Sequence, residues 1–264
     1  MNKKKMMSLQ VSTGSYRQMS GAIINSALSR GSNYVCVANA HMVVEARRSE
    51  HFASIVNNAA IVTPDGVPIT WAFNILYGMK QERVAGMDLL PDLLLSAEGC
   101  GLPVFFYGGT PSLLLKAEKF LHGKFPALKI AGMYSPPFRE LTAAEEPEIA
   151  AKINASGARL VFVILGCPRQ ERWMARMKGR VHALMVGVGG ALPVLIGMQR
   201  RAPVWMQRNG LEWLYRLMQE PRRLFWRYAV TNTVFCWLFI TAMAKRNLIR
   251  KSAPARASNK HVAV

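Results

Sequence analysis

The sequence predicts an α/β protein, in which helices cover a mostly parallel sheet and a basic, partly apolar segment follows it. Short β-rich runs alternate with stretches of helical length between residues 33 and 200, and this βαβ alternation is typical of parallel sheets. Hydrophobic residues make up 51% of the 264 positions, which is enough for a sizeable core. Basic residues are concentrated in the last quarter of the chain.

Six β-rich runs are predicted as strands, with amphipathic helices between them. The strands are predicted at Tyr34–Ala38, Ala60–Thr63, Val104–Tyr107, Leu128–Ala131, Arg159–Leu165 and Ala183–Val188. The clearest helices are predicted at Met87–Gly99, Pro111–Lys124 and Pro168–Lys178. Ligands of such sheets bind outside the carboxyl ends of the strands, so the residues that follow each strand are candidate site residues.

Three regions are predicted along the chain. Residues 1–32 form an N-terminal segment, residues 33–200 the sheet domain and residues 201–264 an appendage, with the composition changing near Pro203. Within the appendage, Pro221 is expected to separate two helices.

The charge predicts a polyanionic or anionic partner. The net charge is +19, and from Gln199 onward there are thirteen basic residues against two acidic ones. Nucleic acid, an anionic membrane face or a phosphorylated substrate would each suit such a surplus. Four of the six tryptophans also lie in this segment, and basic residues mixed with large apolar ones favour a membrane surface.

The run from Ala229 to Ala244 is nearly uncharged, but its sixteen residues are too few to span a bilayer. We expect a helix that lies on the membrane or dips into it. The alternative is an ordinary C-terminal helix packed on the core, followed by a solvated basic tail.

A cytoplasmic location is expected from the cysteines and the first residues. The four cysteines lie far apart with no CxxC pair, and the start MNKKK is not followed by an apolar stretch of signal-peptide length.

Asp65 is the most informative candidate residue. It is one of only three aspartates and follows a predicted strand between Pro64 and Gly66. A carboxylate held there could act as a general base toward a hydroxyl nucleophile. The alternative is a turn or helix cap, in which Asp65 only accepts hydrogen bonds from backbone N–H groups. The three aspartates also exclude an Asp-X-Asp metal site, because no two of them are two residues apart.

Other candidates follow the remaining strands. Glycine turns allow a phosphate close to the backbone, although tight turns alone are the simpler explanation of these glycines. These glycines are Gly108, Gly109, Gly187, Gly189 and Gly190. Arg169 and Gln170 begin a helix, where they would bind a diphosphate and a base or sugar, or simply lie on the surface. Asp88 is expected in the first turn of a helix, with Arg83 paired to it or to a substrate phosphate. His41 is expected to be structural.

Seven segments together resemble the WecG/TagA/CpsF family of bacterial glycosyltransferases. They are NAHMVVEARR (39–48), TPDGVPITWA (63–72), ERVAGMDLLP (82–91), FFYGG (105–109), LGCPRQERWM (165–174), GVGGALPVLIG (187–197) and RRAPVWMQRNGLEWLYRLMQEPRRLFWRY (200–228). Each segment is modest alone, but their order and spacing over residues 33–228 are specific.

The resemblance implies a Rossmann-like domain, with helices on both faces of the sheet and a C-terminal appendage that associates with the membrane. It implies an inverting transfer of a sugar from a UDP-sugar to a polyprenyl-diphosphate-linked sugar acceptor, with no metal or other cofactor. Such enzymes build exopolysaccharides or cell-wall polymers at the cytoplasmic side of the inner membrane, as peripheral or monotopic proteins. A homo-oligomer is left open.

The resemblance also assigns roles to residues. Asp65 corresponds to the base, and Asn39 lines the site. The segment with Arg169, Gln170 and Glu171 lies by the donor. The appendage arginines close over the acceptor's diphosphate at the membrane; they are Arg216, Arg222 and Arg223.

Two departures from the family pattern bear on the donor sugar. Val37 stands where many members have threonine, and His41 where many have an acidic residue. These departures favour UDP-glucose as donor; the alternatives are UDP-N-acetylmannosamine and its uronic acid.

Two other classes of function compete with an enzyme. A nucleic-acid-binding protein would suit the pI of about 10.3, but no helix-turn-helix, zinc-finger or RRM signature is present and no nucleic-acid partner is expected. A non-catalytic scaffold at the membrane surface is the second.

Overall fold

The β-rich runs form the centre of the molecule in a computed structural model, which describes residues 1–252. The strands are β1 (Lys3–Met6), β2 (Leu9–Ser12), β3 (Asn33–Ala38), β4 (Ile61–Pro64), β5 (Val104–Gly108), β6 (Ile130–Tyr134), β7 (Leu160–Ile164) and β8 (Leu184–Gly187). β3 to β8 form one sheet in the order β4-β3-β8-β7-β5-β6, and every neighbouring pair in it is parallel. Five of the six predicted strands are confirmed with small shifts at their ends, and the sixth, predicted at Leu128–Ala131, begins two residues later and ends three residues later as β6.

Helices connect these strands. They are α1 (Tyr16–Leu28), α2 (Ala40–Arg48), α3 (Glu50–Asn57), α4 (Val67–Tyr77), α5 (Gly86–Gly99), α6 (Pro111–Lys124), α7 (Glu145–Ala155), α8 (Arg169–Met177), α9 (Ala191–Leu195), α10 (Val204–Arg208), α11 (Glu212–Gln219) and α12 (Pro221–Ser252). The three clearest predicted helices are confirmed as α5, α6 and α8.

Apolar side chains are buried on both faces of the sheet, because successive residues of a strand point to opposite faces. In β5, Tyr107 stacks on Trp173 of α8 on one face, with ring centroids 4.0 Å apart. Its neighbour Phe106 stacks on Phe162 of β7 on the other face, at 5.4 Å. The first face is covered by α2, α3, α4, α7, α8 and α12, and the second by α1, α5, α6 and α9. The predicted α/β class with helices on both faces is therefore confirmed.

The N-terminal segment belongs to both cores. β1 and β2 form an antiparallel hairpin whose Met6 and Leu9 are buried on the first face. Met19 and Ile23 of α1 are buried on the second face. No sequence pattern predicted the hairpin. The boundaries at residues 33 and 200 stay predictions.

The appendage helix α12 has an inner and an outer face. Leu224, Thr231, Phe235 and Leu238 are buried at spacings of seven, four and three residues, so one side of the helix packs on the protein. The inner face therefore agrees with the alternative prediction of an ordinary C-terminal helix that packs on the core. The outer face exposes large apolar side chains, which are Phe225, Trp226, Val230, Trp237, Ile240 and Leu248.

The predicted break between two helices at Pro221 is confirmed, because α11 ends at Gln219 and α12 begins at Pro221. In the part of the chain that is described, no helix is long and apolar enough to cross a bilayer. The end of the predicted basic tail, residues 253–264, lies outside the described residues.

Candidate active site

Asn39 and Asp65 lie side by side at the carboxyl edge of the sheet. Ala38 at the end of β3 is paired with Pro64 at the end of β4, and each is followed directly by one of the two candidates. The backbone N–H of Asp65 donates to the carbonyl of Ala38 over 2.7 Å, which fixes the two strand ends together. Asn39 also caps α2, since its Oδ1 accepts from the backbone N–H of Met42 at 3.1 Å.

The Asp65 carboxyl has no hydrogen-bond or ion-pair partner among the described side chains, which are those of residues 1–248. The helix after it, α4, begins at Gly66 and has no side-chain cap, and no hydrogen bond or salt bridge of the Asp65 side chain joins it to the described residues. Asp65 is only partly buried. The turn or cap alternative therefore finds no support there, and a role of the carboxyl toward a substrate stays a prediction.

The surroundings of Asp65 set its proton affinity. Burial and the nearby negative charge of Glu212 raise the pKa of Asp65 from 3.8 to about 7, with a smaller contribution from Asp88, while the positive charges of Arg83 and Arg216 oppose the rise. A general base works best when its pKa lies near the working pH. Asp65 therefore has the proton affinity of a general base at neutral pH.

Arg83 is held by two carboxylates beside Asp65. Its Nη1 lies 3.2 Å from Oε2 of Glu212 in α11, and its Nη2 lies 3.2 Å from Oδ2 of Asp88. Asp88 is in the first turn of α5, as predicted. Arg201 also contacts Asp88, with Nη2 2.6 Å from Oδ1. This network connects the strand edge to the appendage.

The structure brings one of the three predicted appendage arginines to the strand edge. A Cβ added at Gly190, just after β8, would lie 2.8 Å from Nη2 of Arg216. Arg222 and Arg223 are exposed on the first turn of α12, where Arg223 Nε contacts Glu220 at 2.6 Å. A guanidinium near Asp65 could hold a diphosphate by paired hydrogen bonds.

The two glycines at the end of β5 lie away from Asp65. β3, β8 and β7 separate β5 from β4, which places Gly108 and Gly109 about 19 Å along the edge at ordinary strand spacing. A Cβ at Gly108 would meet the Ile164 backbone at 2.7 Å, and one at Gly109 would meet Leu113 at the same distance. Close packing is thus sufficient reason for both glycines.

Gln170 and Glu171 are buried, whereas Arg169 is exposed. The Oε1 of Gln170 accepts from the Gly166 N–H at 3.2 Å, and its Nε2 donates to Glu171 at 2.8 Å. Burial raises the pKa of Glu171 to about 7. These side chains join the loops that follow β7 and β8.

The same Gln170 amide fills the space beside the β8 turn. A Cβ at Gly187 would lie 2.8 Å from its Nε2, and one at Gly189 would lie 3.3 Å from its Oε1. Of the three residues predicted beside the donor, only Arg169 therefore presents an exposed side chain.

Sequence reasoning missed Glu212 and Arg201. Both lie within the quoted segment 200–228, but nothing in the helical spacing says which face meets the strand edge. His41 contacts the appendage through Nδ1, 3.4 Å from Oγ1 of Thr231. Burial, with the positive charges of Arg227 and Arg48, lowers the pKa of His41 to about 4. This packing is that of a structural histidine, as expected.

Within residues 1–252, no three His, Cys, Asp or Glu side chains are grouped as ligands of one metal ion would be. The expectation of metal-independent chemistry stays a prediction.

Comparison with known proteins identifies the family. The profile of the Glycosyl transferase WecG/TagA/CpsF family matches residues 4–249. A similar relative is the N-acetylglucosaminyldiphosphoundecaprenol N-acetyl-beta-D-mannosaminyltransferase of Bacillus spizizenii, 33% identical over 195 residues, which cover 74% of this chain and 73% of the relative. The resemblance of the seven segments is thus confirmed, and the chain belongs to the WecG/TagA/CpsF family and is a glycosyltransferase.

Proposed function

We propose that this glycosyltransferase moves a sugar from a UDP-sugar to a polyprenyl-diphosphate-linked sugar, with inversion and with Asp65 as the general base. The observation that best supports this proposal is the carboxyl of Asp65 at the strand edge, whose pKa is raised to about 7. Asp65 takes the proton of the acceptor hydroxyl while the hydroxyl oxygen attacks the anomeric carbon from the face opposite UDP. The bond to UDP breaks as the new glycosidic bond forms.

The cations around the base supply the charge that two diphosphates need. Arg216 lies at the strand edge beside Gly190, and we assign it to the acceptor diphosphate, with the exposed Arg222 and Arg223 of α12 as further cations for the same group. Planar guanidinium groups suit diphosphates because each donates two parallel hydrogen bonds. We assign Asn39 to the acceptor side.

The name of the Bacillus relative is a better guide to the donor sugar than the departures from the family pattern at Val37 and His41. The name of the Bacillus relative specifies transfer of N-acetylmannosamine to an N-acetylglucosaminyl-diphosphoundecaprenol. The preference for UDP-glucose rests only on Val37 and His41, and His41 faces Thr231 of the appendage. We therefore propose UDP-N-acetylmannosamine as the donor, and a lipid-diphosphate N-acetylglucosamine as the acceptor.

The outer face of the appendage favours contact with a cytoplasmic membrane surface. Trp226 is 74% exposed and Trp237 is 56% exposed on α12. Trp205 of α10 and Trp71 of α4 are also exposed. Arginines beside exposed aromatic rings suit an anionic lipid interface. A lipid-linked acceptor would then reach Asp65 from that interface.

The test is transfer by the full chain in detergent, with a short-chain lipid-diphosphate N-acetylglucosamine and a panel of UDP-sugars. We expect UDP-N-acetylmannosamine to be used and Asp65→Asn to lower kcat by 10² to 10⁴, about the contribution of general-base catalysis. Near-full activity of Asp65→Asn would remove Asp65 as the base. Use of UDP-glucose alone would overturn the donor assignment.

A further inference from the structure

Glu212 is a carboxylate that the appendage brings to the strand edge. The appendage from residue 201 to 264 has two acidic residues, Glu212 and Glu220. Glu220 contacts Gln199, at 2.8 Å from Nε2, and Arg223 of its own helix region. Glu212 instead reaches across to Arg83 at 3.2 Å. The two acidic residues of the appendage therefore have different partners: Glu220 pairs close by, whereas Glu212 contacts the loop before α5.

Arg83 is one of two cations that act on Asp65, and other carboxylates hold it. Its guanidinium is shared by Asp88 and Glu212, each 3.2 Å away. The Arg83 and Glu212 side chains are only 18% and 21% exposed, so water screens this pair weakly. In the described residues no salt bridge reaches the Asp65 carboxyl, although Arg83 is near enough to affect its charge.

We propose that Glu212 is a positioning residue for Asp65: from the docked appendage it holds the Arg83 guanidinium, so that Arg83 does not pair with the base. This inference rests on the proposed role of Asp65 and adds a function to the appendage besides phosphate binding. Docking of α11 and readiness of the base are then linked through one ion pair.

The charges that face Asp65 act in opposite directions: Glu212 and Asp88 raise its pKa, whereas Arg83 and Arg216 lower it. They are Glu212 and Arg216 from α11, Arg83 from the loop before α5, and Asp88 from α5. Replacing Glu212 by glutamine removes a negative neighbour and frees Arg83 to approach Asp65. Both changes favour the ionised carboxylate, so both lower the pKa of Asp65.

The small number of aspartates makes this directly measurable. The chain has three, Asp65, Asp88 and Asp92, so [γ-¹³C]aspartate labelling of the full chain gives three carboxyl NMR signals, and loss of one in Asp65→Asn assigns it. We expect the Asp65 midpoint near pH 7 in the wild type and about one pH unit lower in Glu212→Gln. This readout requires no substrate and no turnover.

Kinetics provide the second readout. The acidic limb of the kcat/KM profile of Glu212→Gln should move down by the same interval, and kcat on the alkaline plateau should fall about threefold because a less basic carboxylate is a weaker base. Glu212→Asp, which keeps the charge, should restore both. Glu220→Gln makes the same charge change in the same segment and should leave the titration midpoint where it is in the wild type.

Equal Asp65 midpoints in the wild type and Glu212→Gln would overturn the inference, and so would an equal displacement in Glu220→Gln. If Glu212→Gln does not fold, Glu212→Asp still decides, because a midpoint there that departs from the wild type by as much as one unit contradicts the proposal. Failure of the proposed function looks different: the midpoints shift as expected, but the wild type transfers no sugar.

Discussion

The carboxyl edge of the sheet and the appendage that covers it are built on different principles. At the strand edge, backbone geometry places the groups: Asn39 and Asp65 follow two paired residues of neighbouring strands. In the appendage, side chains do so: Glu212 and Arg216 reach the edge from α11 by ion pairing and close contact. The position of Asp65 is therefore fixed by the fold, whereas its electrostatic environment depends on how a separate set of helices docks.

The first way to test this contrast is at a position where the sheet tolerates no side chain. Gly108 has φ of +110°, and a Cβ there would lie 2.7 Å from the Ile164 backbone. We expect Gly108→Ala to lower the free energy of unfolding by about 4 kcal/mol, since neither backbone can move away. Urea unfolding followed by circular dichroism measures it.

Gly123 in α6 is the control for that substitution, because nothing lies within 4 Å of a Cβ added there. Gly123→Ala should be neutral or stabilise by up to about 1 kcal/mol. A mild effect of Gly108→Ala, close to that of the control, would show that the strand edge is more adaptable than its packing implies.

The second prediction separates the two faces of α12. Leu238 is 7% exposed on the inner face, so Leu238→Ala should cost about 3 kcal/mol of unfolding free energy through lost contacts and a cavity. Trp226, exposed on the outer face, should change that free energy little when replaced by alanine. Denaturant unfolding of both variants makes the comparison.

In vesicle binding, Trp226→Ala should have the larger effect and Leu238→Ala the smaller one. Trp226→Ala should weaken binding to anionic vesicles by about fivefold to tenfold, because its ring is expected to enter the lipid interface. Leu238→Ala, measured where it is folded, should bind as the wild type does. Equal binding by Trp226→Ala and the wild type in sedimentation assays would argue against the outer face as the lipid contact.

The smallest of these expected changes in unfolding free energy concerns Asp65. The folded-state pKa of Asp65, about 7, lies above its unfolded value near 3.8. A raised pKa gives a contribution to stability that is complete below about pH 4 and lost as the pH rises through about 7. The amide in Asp65→Asn does not titrate, so the variant does not lose this contribution as the pH rises. The unfolding free energy of the variant minus that of the wild type should therefore be about 2 kcal/mol larger at pH 8 than at pH 5, with allowance for partial exposure.

Thermal unfolding of both proteins at the two pH values gives this difference. Glu148→Gln in α7 is the control, because Glu148 is exposed and its substitution should leave the pH dependence unchanged. If the difference between Asp65→Asn and the wild type is the same at both pH values, the pKa of Asp65 is not raised in the folded protein.

Much of the fold could be predicted from local pattern. Six strands and three helices follow from hydrophobic runs and their period, and Pro221 marks a helix boundary because its ring fits only the first turn. The N-terminal hairpin was missed, since Lys3–Met6 shows no apolar alternation. The glycine turn after β5 was predicted as a phosphate site, but strand order places it far along the edge from Asp65.

The sequence by itself determined that Asp65 and Asn39 follow strands, that Asp88 lies in the first turn of a helix, and that the chain carries the motifs of its family. Only the tertiary structure decided that β3 and β4 are neighbours, that Gln170 and Glu171 turn inward, and that Glu212 meets Arg83 across 129 positions of sequence. The physical reason is range. Strand and helix periods act over a few residues, whereas strand order and the docked face of a helix depend on packing between segments far apart in the chain.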